Sequence, residues 1–520
     1  MSHKRLLVLV LALGVAGFGF GRGAPEEIGI DAPERISIAL WDIDPTFTMD
    51  NDAVYAELAN RLGIRIDPIA ISWSDYHERI NIWAASGDLP DVFAIDALGS
   101  QVFRNWVGEE IVRPLPEDLS PYPHLEAVMA GPDIAATAVN GRFYNIPRVT
   151  YDNIDLWAAD RTVFVRQDWM ENVGITEDPE TLDDLIALLT AFVRDDPNRT
   201  GRADTIGMTH AFGYLDYIMQ AYNPVPFGHW TKEDDRFIPS FLSRHTIEGI
   251  KAVRQLYERG LFDRDFGIME DTDGLDKFAS GRAGMLIWSV SPEHLRDWLV
   301  NRWDTMQPGS DFFEAVRPVR PLRHYIDGQM YRFSTTTFWS ESYINSGVSD
   351  AKFDRILRLY DFMLSNEGTY LMRLGIEGTD YQLNGDEIVI TRPTDQRSGS
   401  FVPLFEIYPF TAGFPYLAAW GGEWPLQDPS FDPRIREMSN RHLDFVITEA
   451  QRPAMSFDVQ YMSTPLKDQF FIDGGDVVRI VLSEEDPDEL WSQIMEGYRQ
   501  DGLEAMLDEV NAEAARRGYR

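Results

Sequence analysis

Cysteine is absent from this 520-residue chain. That removes disulfides, thiol nucleophiles and cysteine-ligated zinc or iron–sulfur centres from consideration. Lysine is scarce as well: six of the 47 basic residues are lysine and the rest arginine, against 84 acidic residues. The net charge of −37 repels nucleic acid and anionic lipid surfaces, which disfavours polyanion binding. It suits a surface kept soluble in salt, or a site for neutral or cationic ligands, and does not choose between them. No G-x-S-x-G, H-E-x-x-H or phosphate-loop pattern occurs, and the nine histidines lack ligand spacing, so enzyme readings find little support. Beyond the amino terminus there is no apolar run of the roughly 20 residues that a spanning helix needs.

What is present begins with a leader. His3, Lys4 and Arg5 form a basic region ahead of the uncharged stretch Leu6 to Phe20, the layout of an export signal over residues 1–24. Val15-Ala16-Gly17-Phe18 would be a lipid-attachment box if Phe18 were cysteine. The expectation is a periplasmic or extracellular protein without a lipid anchor there.

From Arg35 to Asp96 strand-like and helical patterns alternate. Ile36–Trp41, Ile64–Ile71 and Val92–Ile95 read as strands. Between them, Val54, Leu58 and Leu62 keep helical spacing before Gly63, and Ser74 to Ser86 reads as a helix closed by Gly87. Such alternation predicts a mainly parallel sheet flanked by helices. Ligands of open α/β sheets sit beyond the carboxyl ends of the strands, where Trp41, Asp42 and Asp96 fall. A second helix, Ala-Ser-Gly stop and buried run occurs at Phe278–Trp288, followed by Ser289. Two such devices suggest two lobes around a cleft. Asn140-Gly141 predicts a type I′ hairpin joining Ala135–Val139 to Arg142–Ile146, and Thr181 with Asp184 predicts a capping box.

Several segments then resemble one family. ASGDLPDVF (85–93), NGRFYNIP (140–147), VRQDWMENVGI (165–175), LYERGLFDRDF (256–266) and FASGRAGMLIW (278–288) are similar, in order and spacing, to family 1 extracellular solute-binding proteins. These are the carbohydrate-capturing subunits of ABC importers. The tail from Trp491 to Leu507 resembles the branch that binds oligosaccharides. The resemblance implies a two-lobed α/β fold of the type II periplasmic binding protein kind. Lobe one is expected over 35–150 plus about 306–397, and lobe two over 155–300 plus about 409–520. It also implies an oligosaccharide ligand, an ABC importer permease as partner, a monomer, and no catalysis. A peptide or other polar solute, or a secreted carbohydrate-active enzyme, are the competing readings.

A sugar site wants aromatic platforms ringed by carboxylates or amides. Trp41, Trp73, Trp230, Trp339, Trp420 and Trp424 lie in polar or glycine-rich surroundings, with YLAAWGGEW (416–424) the most suggestive. Trp83, Trp169, Trp298 and Trp491 fall in helical stripes and read as core. The candidate ligand-binding residues are Trp41, Asp42, Asp44, Asp96, Trp288, Ser289, Trp339, Trp420 and Trp424. No cofactor is required. A structural calcium ion is a candidate in the loop with oxygens at Asp196, Asn198, Thr200 and Asp204, the Arg202 carbonyl, and Gly201 at the sharp turn. Against it, Gly207 stands where a bidentate glutamate would be, and Arg199 and Arg202 add positive charge.

Overall fold

The computed structural model describes residues 33–41, 49–385, 387–394 and 401–519. The leader, including Phe18, and Asp42 and Asp44 lie outside these residues. In chain order the strands are β1 (Glu34–Leu40), β2 (Ile64–Ala70), β3 (Val92–Ile95), β4 (Ile146–Val149), β5 (Thr162–Arg166), β6 (Ile206–His210), β7 (Trp230–Glu233), β8 (Arg236–Pro239), β9 (Ala283–Trp288), β10 (Val316–Val319), β11 (Phe338–Ile344), β12 (Tyr381–Asn384) and β13 (Glu387–Ile390).

Two sheets organise the chain. The first has the order β2-β1-β3-β11-β4 and the second β10-β5-β9-β6; β12–β13 and β7–β8 are separate hairpins. Parallel pairing holds for β2–β1–β3 and for β6–β9, while β11, β5 and β10 join antiparallel. Each sheet is therefore mainly parallel in strand direction, with β11 the reversed strand of the first and β5 that of the second. Strands that return from the other lobe enter against the direction of their neighbours.

Local signals translate directly. The helix Ala53–Leu62 buries Val54, Leu58 and Leu62, takes an N-cap bond at Asp52, and ends on Gly63 in the left-handed region. The helix Tyr76–Ser86 ends on Gly87 at φ 79°, a conformation glycine adopts without a Cβ penalty. Thr181 and Asp184 form the reciprocal capping box of the helix Leu182–Arg194. At Asn140-Gly141 both residues have positive φ, as a type I′ turn demands, but only Val139 and Arg142 pair across it. The expected hairpin is cut short because Pro132–Ala135 is already helical.

Strand periodicity places the second sheet between two cores. Val163 and Val165 of β5, with Met285 and Ile287 of β9, face one cluster; Phe164, Leu286 and Trp288 face the other. The first sheet, its flanking helices and the 404–418 segment share a single cluster. Pairing and packing divide the remaining segments between the two sheets. The segment from 306 stays with the second sheet, because β10 pairs with β5 through Val319. Phe410, Phe414 and Leu417 pack in the first core, and the helix Pro433–Glu449 contributes Ile435, Leu443 and Val446 to a core of the second sheet.

The crossing segments brace each other. Thr150 and Tyr151 donate backbone N–H bonds to the Thr337 carbonyl, and the Trp157 indole donates to the Thr336 carbonyl at 2.6 Å. Two ion pairs join the lobes directly. Arg104 reaches Asp468 at 2.8 Å, and Arg373 reaches Glu293 at 2.7 Å.

Candidate functional site

The first sheet's geometry gathers side chains that are far apart in sequence. Trp41 follows β1, Trp73 follows β2 and Asp96 follows β3. Trp339 opens the antiparallel β11, and Trp420 donates its backbone N–H to Val149 at the end of β4. All five lie on one edge, the carboxyl edge of the parallel strands. There they form a continuous aromatic surface. Trp41 stacks on Trp73 with centroids 4.9 Å apart and planes 11° apart. Trp73 lies 5.8 Å from Trp339 and 6.3 Å from Trp420, and Tyr416 stacks on Trp420 at 5.0 Å. Trp73 and Trp339 are 47% and 38% exposed, whereas Trp41 is 2% exposed; the surface has an open face and a buried foundation.

Arg148 of β4 holds that foundation. Its guanidinium sits 4.6 Å from the Trp41 ring and 4.5 Å from the Trp420 ring, donates to the Tyr416 carbonyl at 2.7 Å and to Ser340 Oγ at 2.8 Å, and is wholly buried. Cation–π contact in so dry a place is worth about 2 kcal/mol. Asp96 borders the platform, accepts from the Tyr76 hydroxyl at 2.7 Å and lies 2.9 Å from His77 Nε2. Burial, then the bond to Asp96, pushes the Tyr76 pKa well above its ordinary value, so the phenol stays a donor. The turn after Asp96 is fixed from behind by Glu341, whose Oε1 accepts from the Ala97 and Leu98 backbone N–H groups, each at 2.7 Å, and from the Tyr343 hydroxyl at 2.6 Å. Burial outweighs these donors and raises the Glu341 carboxyl to about 8.

The second sheet builds a similar rim. Phe212 follows β6 and Trp288 ends β9, its parallel neighbour. Phe212 lies 5.5 Å from Trp288 at 18°, and Tyr214 lies 6.3 Å from it at 16°. Phe212 is partly exposed and holds a φ of 50°, a strained backbone for a bulky residue and a common mark of functional positions. Arg161 packs 3.4 Å from the Tyr214 ring and is held by Asp160 and Asp216. The two rims connect through Trp420, Tyr416, Arg373, Glu293 and His294, the last 5.2 Å from Trp288.

Trp298 also joins this second rim, 6.0 Å from Trp288 and 36% exposed, which corrects its reading as core. Leu295–Val300 is a π-helical turn, and the wider turn shifts the side-chain register that a 3.6-residue period assumes. Trp230 is buried beneath Lys467. Ser289 is buried and bonds with Ser291. Trp424 stands apart from both rims, 5.2 Å from Tyr370, with its indole donating to Asp428. Tyr76, Arg148, Phe212 and Glu341 carried no local signal that would have singled them out.

The buried indole nitrogens of Trp41 and Trp288 have no hydrogen-bond partner among the described residues.

The loop at Asp196 gathers hard oxygens. Asp196 accepts from the backbone of Thr200 at 3.0 Å and Gly201 at 2.9 Å; Thr200 Oγ1 lies 3.2 Å from Asn198 Oδ1 and 3.4 Å from Asp204 Oδ1. Arg202 is exposed in the same turn. The oxygen donor set suits a calcium ion, but position 12, Gly207, is buried in β6 with its missing Cβ 2.4 Å from a backbone oxygen, leaving no space for a bidentate ligand. Among the described residues no group of three or more acidic or histidine side chains converges as a metal site.

Comparison with known proteins places the chain. The profile of the bacterial extracellular solute-binding protein family matches residues 49–308. The polygalacturonan/rhamnogalacturonan-binding protein YtcQ of Bacillus subtilis (strain 168) is 24% identical over 406 residues, 75% of this chain and 76% of that protein. Lipoprotein LipO of the same organism is 24% identical over 396 residues, 74% of each. Among solved structures, the alginate-binding protein AlgQ2 without calcium ion superposes with a TM-score of 0.70 at 19% identity, covering 93% of this chain and 98% of that one. The Streptococcus pneumoniae substrate-binding protein FusA in complex with kestose gives 0.61 at 18%, covering 93% and 99%. These neighbours share the two-lobed fold, and with its profile spanning half of the sequence the chain belongs to the bacterial extracellular solute-binding protein family.

Proposed function

We propose that this protein captures an oligosaccharide outside the cytoplasm and delivers it to the permease of an ABC importer. The observation that carries the reading is the pair of aromatic rims at the strand ends of the two sheets. Trp73 and Trp339 offer ring faces to the apolar C–H faces of sugars, and the exposed Asp96 carboxylate accepts from their hydroxyls. Relatives named for binding polygalacturonan and fructooligosaccharide support the same ligand class. Lobe one is proposed as 33–149 with 338–418, and lobe two as 162–319 with 433–519, closing by a hinge in the crossing segments. The protein acts as a monomer and captures without turnover.

A thermal-shift screen against soluble oligosaccharides, with peptides alongside, tests this. A ligand at about 100 times its Kd adds about 2.7 kcal/mol to native stability. The expected result is a rise in Tm with one sugar family, and recovery of that sugar intact by mass spectrometry. A response to peptides alone, or recovery of shortened sugar, would sink the proposal.

We also propose a structural calcium ion at Asp196, Asn198, Thr200 and Asp204 with the Arg202 carbonyl. With two carboxylates and no bidentate ligand the affinity falls in the weak, roughly 0.1–1 mM class of extracellular sites. Raising calcium from chelator-stripped buffer to millimolar levels is expected to lift Tm by about 1–3 °C, and Asp196→Ala to abolish the response. An identical Tm with chelator and with calcium would reduce the loop to a turn.

A further inference from the structure

We infer that the cleft selects an uncharged oligosaccharide and discriminates against sugars bearing carboxylates, an inference that rests on the carbohydrate reading above. A uronate buried between two lobes must exchange its hydration for a charge-assisted, preferably bidentate, partner, and arginine is the side chain that supplies one. Arginines stand at both rims, yet each is already committed. Arg148 lies between two indoles and donates to the Tyr416 carbonyl and Ser340. Arg161 is taken by Asp160 and Asp216. Arg373 is held by Glu293; burial works against its charge, but that carboxylate keeps its pKa above the ordinary value. His77 Nε2 lies 2.9 Å from Asp96.

Carboxylates border the platform. Asp96 is exposed at its border. The Gly421–Gly422 turn that follows Trp420 has carboxylates on both sides: Glu293 Oε2 lies 3.2 Å from the Cβ position of Gly421, and Asp152 Oδ1 lies 3.5 Å from that of Gly422. Glu423 is the next residue and is exposed. Among the described residues no ion pair joins Asp96, Asp152 or Glu423 to an arginine or lysine. The remaining donors, the Trp41 and Trp288 indoles, are buried and neutral. A neutral N–H suits a hydroxyl or ring oxygen and cannot compensate a buried carboxylate. The net charge of −37 adds a long-range field of the same sign. The bordering carboxylates and the net charge both favour an uncharged guest.

The test is calorimetry of the mature protein with neutral oligosaccharides (fructo-, galacto-, manno- and xylo-oligosaccharides) and with oligogalacturonides of matching length, at 50 and 500 mM NaCl. The expected outcome is binding of a neutral series, with Kd changing less than about twofold across that salt range, and oligogalacturonides at least about 100-fold weaker. In the Asp152→Asn, Glu423→Gln double variant the uronate-to-neutral affinity ratio is expected to rise about tenfold. An oligogalacturonide that binds as tightly as the best neutral sugar would overturn the inference while leaving carbohydrate capture intact. So would a preferred ligand whose Kd weakens more than tenfold with salt, or a ratio unmoved in the double variant. Binding of neither series, with peptides binding instead, would bring down the carbohydrate reading and this inference with it.

Discussion

Replacing Trp73 with alanine is expected to weaken oligosaccharide binding by about 10- to 100-fold, a loss of about 1.4–2.8 kcal/mol. The unliganded protein should melt within about 2 °C of the parent. The asymmetry follows from exposure. Trp73 is 47% open to solvent, so its removal costs the core little. Trp41, at 2%, carries both roles. It supports Trp73 from below and covers Arg148, so Trp41→Ala is expected to lose affinity and also about 3–5 kcal/mol of stability, the range for buried large aromatics. Unchanged affinity in Trp73→Ala would show that the platform is not the site.

The second large effect belongs to Glu341 and depends on pH. Its carboxyl is raised to about 8 in the fold, chiefly by burial, against about 4.3 for an unfolded glutamate. Below the unfolded value both states carry the proton and the contribution is fully present. Between the two values the unfolded chain releases the proton while the fold retains it, so stability falls as pH rises towards 8. The span corresponds to about 3–5 kcal/mol. Glu341→Gln keeps an acceptor for Ala97, Leu98 and Tyr343 but does not titrate. Its stability advantage over the parent should therefore be small near pH 4 and grow by several degrees of Tm by pH 8. Parallel pH profiles for the two proteins would mean that Glu341 does not hold its proton in the fold. Glu341→Leu, by contrast, strands two buried backbone N–H groups beside Asp96 and should destabilise at every pH.

How much of this could be read from the sequence depended on how local its cause was. Helix ends at Gly63 and Gly87, the Thr181 capping box, and the buried runs of β3 and β9 each follow from a few neighbouring residues. They appear in the fold at the expected positions. The aromatic platform draws on the ends of β1, β2, β4 and β11, and only sheet order brings Trp41, Trp73, Trp339 and Trp420 together. Arg148 reads as an ordinary charge within IPRV until the sheet encloses it. The exposure of Trp298 is not legible because a π-turn changes the period, and β10, an edge strand of four residues, has no pattern of its own. Asp42 and Asp44 keep the standing of sequence candidates.

The ion pairs between the lobes bear on time rather than affinity. Arg104–Asp468 and Arg373–Glu293 are largely shielded from solvent. Parting the lobes strips each charge of its counterion before water has fully replaced it, so the way out is steeper than ligand contacts alone would set. Once shut, such a cleft keeps its cargo through many encounters in bulk solvent. Residence time becomes a property of the protein's own hinge and its charged clasps, separable by mutation from the strength with which the sugar itself is held.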